Sequence, residues 1–210
     1  DLSNGGNDDI SVSMTGDAIA GVMADFNIVA GGMGSDRINV LGSVLSRDVV
    51  SGDNLDYRRS GAATGYQHLF AESSQPQSGG DDSIRVGSGD KLLFGGAGND
   101  KVESLTVAGD RNIAFGDAGS VSFAVDGSGK LVRVGTQSDS SGGDDILNIG
   151  AGTAYVFGGF GRDALTLSGG DAAMRVVAGD GAQANFDATG ALQLVQSTGS
   201  DAADPLLTSD

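Results

Sequence analysis

Cysteine and tryptophan are absent from this chain, proline occurs twice, and histidine once. Without cysteine there is neither a disulfide nor a thiolate metal site to hold the fold. Scarce proline beside 37 glycines in 210 residues fits tight turns between hydrogen-bonded strands and excludes a Pro/Gly-rich disordered tail. The 39% of hydrophobic residues fall in short β-branched runs, which argues against disorder throughout. Glutamate is nearly missing as well: of 28 acidic residues only Glu72 and Glu103 are glutamate. Helical surfaces favour glutamate, whereas aspartate competes for its own backbone and settles in turns and caps. The carboxylates are therefore expected where the backbone turns.

Positive charge is also sparse. Twelve Lys+Arg against 28 Asp+Glu leave a net charge of −16, which repels nucleic acid and anionic membranes and asks for a neutralising partner. The longest apolar run, AIAGVMA at 18–24, is too short to span a bilayer, so neither nucleic acid nor membrane insertion is expected. No secretory leader is visible. The chain opens mid-pattern, at DLSNGGNDD, and is read as a segment of a longer array.

What is present is a repeat. GGDDSIRVGSGDKLLFGG begins at Gly79 and GGDDILNIGAGTAYVFGG at Gly142, 63 residues later. In both, the second Gly-Gly pair falls 16 residues on, at Gly95 and Gly158, and a Gly-Asp pair 21 residues beyond, at Asp117 and Asp180. The N-terminal third keeps the 21-residue step from Gly31 to Gly52-Asp53 but holds about ten extra residues around TGDAIAGVMA. The expected organisation is one repeat domain over 1–210, with units at 5–78, 79–141 and 142–203 and a tail at 204–210. Each unit ends in alternating apolar and polar residues around a turn, at 57–70, 120–134 and 184–195, the signature of a β-hairpin.

Short strands between Gly/Asp turns cannot each bury a face alone, and stacking successive turns solves this. The expected fold is all-β: a right-handed parallel β-roll or β-helix solenoid with β-hairpin excursions. Ile10, Ile38, Ile84, Val102, Ile146 and Leu165 are expected to point inward, with Phe94 and Phe157 in the same column.

The turns carry the chemistry. Gly95, Gly96 and Gly98 allow positive φ and let carbonyls converge beside Asp100, a hard oxygen set of the kind Ca²⁺ prefers. One turn supplies only part of a site, so a neighbouring coil has to complete it. The shortened turns at Asp82 and Asp145 are the candidates for the one at Asp100.

GGAGNDKVE (95–103), GGMGSDRIN (31–39) and GGFGRDALT (158–166) resemble the G-G-x-G-x-D-x-U-x nonapeptide of the RTX calcium-binding β-roll family. The GGDDSIRV type resembles a shortened form. About a third of the chain matches residue by residue, and the 63-residue unit is closer to repeats of very large bacterial surface proteins than to uninterrupted toxin arrays. The resemblance implies several calcium ions between coils, at Gly31, Gly32, Gly34 and Asp36, at Gly95, Gly96, Gly98, Asn99 and Asp100, and at Gly158, Gly159, Gly161 and Asp163. Asp8, Asp82 and Asp145 belong to the shortened turns, and Asp53, Asp117 and Asp180 recur at fixed spacing without the glycines. The chain departs from the pattern at Asp90-Lys91 and Thr153-Ala154, where Lys91 places an ammonium in a cation's position and Ala154 offers no ligand; fewer ions than turns are expected.

The function this implies is a calcium-binding structural or adhesive module of a secreted bacterial surface protein, folding on Ca²⁺ binding. Its partners would be neighbouring repeats of a longer chain, with a glycan or surface protein as a further contact. The alternative is a noncatalytic glycan-binding or accessory module of an extracellular polysaccharide-active enzyme. Catalysis is not expected, because the sites of polysaccharide lyases and epimerases need basic residues and a base of suitable pKa. No convincing nucleophile context of the G-x-S-x-G type is present for His68, which is read as a surface or packing residue, and Arg58-Arg59 is read as a solvated hairpin face.

Overall fold

The computed structural model describes residues 5–13, 26–41, 46–59, 68–137, 142–169 and 173–198. The inserted TGDAIAGVMA segment, Tyr66 and the 204–210 tail lie outside them. The fold is all-β, with 18 strands and no helix among the described residues.

Each unit contributes six strands in one order. The first supplies β1 (Asp9–Ser13), β2 (Phe26–Ala30), β3 (Arg37–Leu41), β4 (Arg47–Ser51), β5 (Leu55–Arg59) and β6 (His68–Ser73). The second supplies β7 (Ser83–Val86), β8 (Asp90–Phe94), β9 (Lys101–Ser104), β10 (Arg111–Phe115), β11 (Gly119–Phe123) and β12 (Leu131–Thr136). The third supplies β13 (Ile146–Ile149), β14 (Thr153–Gly159), β15 (Ala164–Leu167), β16 (Arg175–Asp180), β17 (Ala182–Phe186) and β18 (Leu192–Ser197).

Three six-stranded sheets result. A front sheet runs β1-β3-β7-β9-β13-β15 and a middle sheet β2-β4-β8-β10-β14-β16; every pairing in both is parallel. The chain passes front, middle, front, middle, and then makes two strands of an antiparallel back sheet, β5-β6-β11-β12-β17-β18. The hairpins foreseen at 57–70, 120–134 and 184–195 are thus present, but not as separate excursions. An isolated hairpin is marginal in water, and these carry an apolar inner face at Val121, Phe123, Leu131 and Val134. Joining edge to edge pairs their backbone groups and makes a continuous third layer.

The middle sheet is therefore buried on both faces. Its strands carry unbroken apolar runs (LLF, IAF, AYVF) because alternate residues face different cores. Between front and middle lie Ile38, Ile84, Val102, Leu147, Val50, Leu93 and Val156, and between middle and back lie Leu92, Ile113, Val121, Val134 and the buried Phe94, Phe115, Phe123 and Phe157. Phe94, Phe115 and Phe157 stack at 5.2 and 5.5 Å between centroids. Phe94 and Phe157, expected in the isoleucine column, instead stack with Phe115 on the opposite face of the middle sheet, because their strands alternate between the two cores.

The isoleucine column needs one correction. Ile38 pairs with Ile84, Ile84 with Val102, Val102 with Leu147, and Leu147 with Leu165. Ile146 points outward and is 46% exposed, while Leu147 is fully buried. In the turn GGDD it is Asp145, not Asp144, that corresponds to Asp82, and period-2 alternation moves the inward position by one. Leu147→Ala is accordingly expected to cost about 3 kcal/mol, and Ile146→Ala less than about 0.5 kcal/mol. Chemical denaturation of the two variants measures this directly; equal losses would contradict the register.

Candidate metal centre

Every strand of the front sheet is entered through a turn ending in aspartate: Asp8, Asp36, Asp82, Asp100, Asp145 and Asp163 precede β1, β3, β7, β9, β13 and β15. Because those strands pair in register, the six aspartates stack. The Asp8 N–H donates to Asp36 Oδ1 at 2.7 Å, Asp36 to Asp82 at 2.6 Å, Asp82 to Asp100 at 2.7 Å, Asp100 to Asp145 at 2.7 Å, and Asp145 to Asp163 at 3.0 Å. The neighbours of Asp100 are Asp82 and Asp145, the two expected to complete its site.

The other carboxylate oxygen is unused. Oδ2 of Asp36, Asp82, Asp100, Asp145 and Asp163 is buried with no hydrogen-bond partner, although Asp36, Asp82, Asp100 and Asp145 are at most 3% exposed. Such orphaned acceptors are rare in native interiors and ask for an explanation. Beside them runs a column of glycines. A methyl group on Gly52 would overlap both Asp82 Oδ2 and the Gly95 carbonyl oxygen. On Gly31 it would meet Asp36 Oδ2 and the Gly52 carbonyl, on Gly95 Asp100 Oδ2 and the Gly116 carbonyl. Gly116 and Gly158 repeat this with Asp145 and Asp163 and the carbonyls of Gly158 and Gly179. Carboxylate and carbonyl oxygens thus converge on the space that only a glycine leaves open.

The remaining glycines serve the turn itself. Gly32, Gly96 and Gly159 have φ of 104°, 120° and 119°, and Gly34, Gly98 and Gly161 of 129°, 119° and 106°, a region that side chains resist. Gly34, Gly98 and Gly161 also abut the carbonyls of Gly6, Gly80 and Gly143, forming a second column. Asn99 belongs to an outer ladder rather than to the orphaned oxygens. Its N–H and Nδ2 donate to Asp81 Oδ1 at 2.8 and 3.1 Å, and its Oδ1 accepts from the Asp144 N–H at 2.8 Å. Ser35 and Arg162 are tied into that ladder by Asn7 and Asp144.

The Gly-Asp pairs at the ends of β4 and β10 are clamps. Asp53 accepts from the N–H of Ala97 (2.6 Å) and lies against Gly79 and Gly80, and Asp117 accepts from the N–H groups of Phe160 and Gly143 (3.1 Å). Each therefore holds one long and one short turn of the next unit. Asp180 occupies the same place in the third unit and is exposed. The departures at Asp90-Lys91 and Thr153-Ala154 lie at the other end of the strands, where front passes to middle. There Lys91 Nζ pairs with Asp48 at 2.9 Å, both side chains 0% exposed, and donates to Ser46 Oγ (2.8 Å) and to the Ser88 carbonyl. Burial holds the lysine below its ordinary pKa range, opposed by the Asp48 carboxylate. Its ammonium serves this site as a cation built into the chain.

His68 is a packing residue. Its ring lies between Phe26, Tyr57 and Phe123, with Nδ1 3.0 Å from the Tyr57 hydroxyl, and burial lowers its pKa to about 4. Arg58 pairs with Asp56 across an exposed hairpin face. A shallow groove of about 390 Å³ crosses the outer face of the front sheet between Arg37, Ser83, Arg85, Lys101 and Glu103.

Comparisons with protein-family models, curated proteins and solved structures find no match. The chemistry of the site thus rests on its own geometry. Among the described residues no three His, Cys, Asp or Glu side chains converge on one point; any cation held at the ladder would take glycine carbonyls with the carboxylates.

Burial raises the ladder acids: Asp100 to about 10, Asp82 and Asp145 to about 8, and Asp53 of the clamp to about 7, with neighbouring aspartates adding to the effect. Against an ordinary value of 3.8, the folded state binds these protons more tightly than the unfolded chain. Their contribution is fully present below pH 3.8 and is lost as the pH rises from there through 7 to 10. In chelator, the melting temperature is expected to fall steadily between pH 4 and 9. A rise over that interval in thermal melts would contradict the buried carboxyls.

Proposed function

We propose that the chain is a calcium-stabilised, right-handed β-roll module, structural and adhesive, from a secreted bacterial surface protein. The observation that carries this reading is the row of five buried carboxylate oxygens, each without a partner and each beside a glycine carbonyl. Asp36, Asp82, Asp100, Asp145 and Asp163 would hold the cations with the carbonyls of Gly52, Gly95, Gly116, Gly158 and Gly179. Ca²⁺ takes six to eight oxygens of this type and would supply the charge that the stacked carboxylates lack. The resemblance of 31–39, 95–103 and 158–166 to the RTX nonapeptide points the same way.

Because the sites exist only when coils are stacked, ion binding becomes folding energy. The chain would stay unfolded in a low-calcium cytoplasm and fold outside the cell, where it would extend other domains or present a contact surface. Catalysis has no part in this reading: the one histidine is buried among aromatic rings. Titrating Ca²⁺ into chelator-treated protein is expected to raise the melting temperature with concentration, and circular dichroism to report β structure gained. Asp100→Asn should weaken the response at least tenfold in calcium concentration. An unchanged melting curve with and without Ca²⁺ would sink the proposal.

One observation favours a second reading, the noncatalytic glycan-binding module. Three of the chain's 12 basic residues, Arg37, Arg85 and Lys101, line the groove on the front sheet, where Arg85 pairs with Glu103 at 2.8 Å. In so acidic a chain this is the place for an acidic sugar polymer. A glycan array should then give uronate-containing hits that Arg37→Glu/Lys101→Glu abolishes; hits indifferent to that variant would reject the groove.

A further inference from the structure

The groove on the front sheet and the aspartate ladder are joined through the same turns. Arg37, Ser83 and Lys101 stand opposite one another on β3, β7 and β9, one to each strand. Each is the residue after a ladder aspartate: Asp36, Asp82 and Asp100 in turn. Their backbone N–H groups donate to the carbonyls of Asp8, Asp36 and Asp82, all at 2.8 Å. The stacking that builds the ladder therefore also spaces this row.

Within the row a short side chain separates two long ones. Paired strands lie about 4.8 Å apart, so Arg37 and Lys101 are rooted about 10 Å from each other with the Ser83 hydroxyl between them. Arg85, two residues beyond Ser83 on the same face, closes a third side and is held by Glu103 at 2.8 Å. Arg37 and Lys101 are exposed and make no ion pair among the described residues. In a chain with 28 acidic and 12 basic side chains, two neighbouring cations without a carboxylate partner are open to an anion from solution. Guanidinium and ammonium groups around a hydroxyl suit a carboxylate, and the carboxamide of Asn39 in the same groove suits a hydroxyl group beside it. The matching ligand is a hydroxylated acid, the uronate of a sugar chain.

The state of the ladder bears on that ligand in two ways. Protons bring its buried carboxyls to neutrality at most, whereas a divalent cation on each would leave the ladder positive, one residue from the row. The same cations would hold neighbouring coils in register, and with them the spacing of Arg37, Ser83 and Lys101.

We infer that the front-sheet groove is an anion site switched on by calcium at the ladder, holding a uronate among Arg37, Arg85, Lys101 and the Ser83 hydroxyl. Coupling between two binding sites is reciprocal, so the bound anion tightens calcium in return. The inference rests on the calcium reading and makes glycan binding a consequence of it, not a rival.

The probe is a fluorescein-labelled oligosaccharide of alternating glucuronate and N-acetylglucosamine, with its carboxyl-reduced, uncharged form as the control. Fluorescence anisotropy on the whole chain is expected to show binding about tenfold tighter in Ca²⁺ than in chelator, and none of the uncharged form. The oligosaccharide should lower the calcium midpoint read by circular dichroism by the same factor. Arg37→Gln/Lys101→Gln should abolish both effects and keep the rise in melting temperature with Ca²⁺, because neither side chain belongs to the ladder. Equal binding in Ca²⁺ and chelator would overturn the inference, and so would no binding in either. Binding that survives in the double variant would overturn it too, since calcium would then merely bridge the sugar acid to the acidic surface. Melting separates the two readings. A melting temperature raised by Ca²⁺ without oligosaccharide binding defeats this inference alone, and one indifferent to Ca²⁺ defeats the calcium reading beneath it.

Discussion

Everything at one end of this molecule depends on a backbone N–H of each turn being received by the carboxylate of the next. The bond from Asp82 to Asp100 Oδ1 and those before and after it lock the coils into register. They also bring five carboxylates into a column with water excluded. Stacking therefore creates the problem that it leaves unsolved, since like charges one coil apart destabilise each other in a poor dielectric. A proton on each carboxyl relieves that repulsion, and a divalent cation shared with the glycine carbonyls would relieve it more completely. The glycines belong to the same constraint: where a side chain would stand, the oxygens converge.

The two ends of the coil treat charge differently. Where middle passes to front, aspartates accumulate with no basic side chain among their hydrogen-bond partners within the described residues. Where front passes to middle, Lys91 sits inside the protein against Asp48 with Ser46 and Ser88 around it. A buried lysine is costly unless paired, and here the pairing is complete without any ion from solution. The same backbone path thus has a buried ion pair at one end and stacked, partnerless carboxylate oxygens at the other. The back sheet shields the middle strands along their length and covers the Phe94–Phe115–Phe157 stack that those strands carry.

Much of this was legible in the residues. The 63-residue period, the all-β character, the hairpins and the pairing of Asp100 with Asp82 and Asp145 follow from spacing. In a repeat, equal spacing forces equivalent residues into neighbouring coils. Arg58 stands on the exposed hairpin face as read, whereas His68, left between surface and packing, is placed in the core by its aromatic neighbours. The inward position at Ile146 was misread although Asp145 was the turn aspartate: two residues on from it, as Ile84 is from Asp82, stands Leu147, and one residue of slip exchanges the faces of a strand. The clamps at Asp53 and Asp117 were visible only as a recurrence. Their partners, Ala97 and Phe160, lie 44 and 43 residues away, beyond any local pattern.

The sequence by itself determined the repeat, the strands, and the concentration of aspartate and glycine at the turns, because these are properties of neighbours along the chain. Only the tertiary structure decided that the hairpins join into a third sheet, that the phenylalanines and isoleucines fill separate cores, and that Oδ1 of each ladder aspartate is satisfied while Oδ2 is not. Those are contacts between coils, set by which backbone edges meet and what each meeting excludes from water.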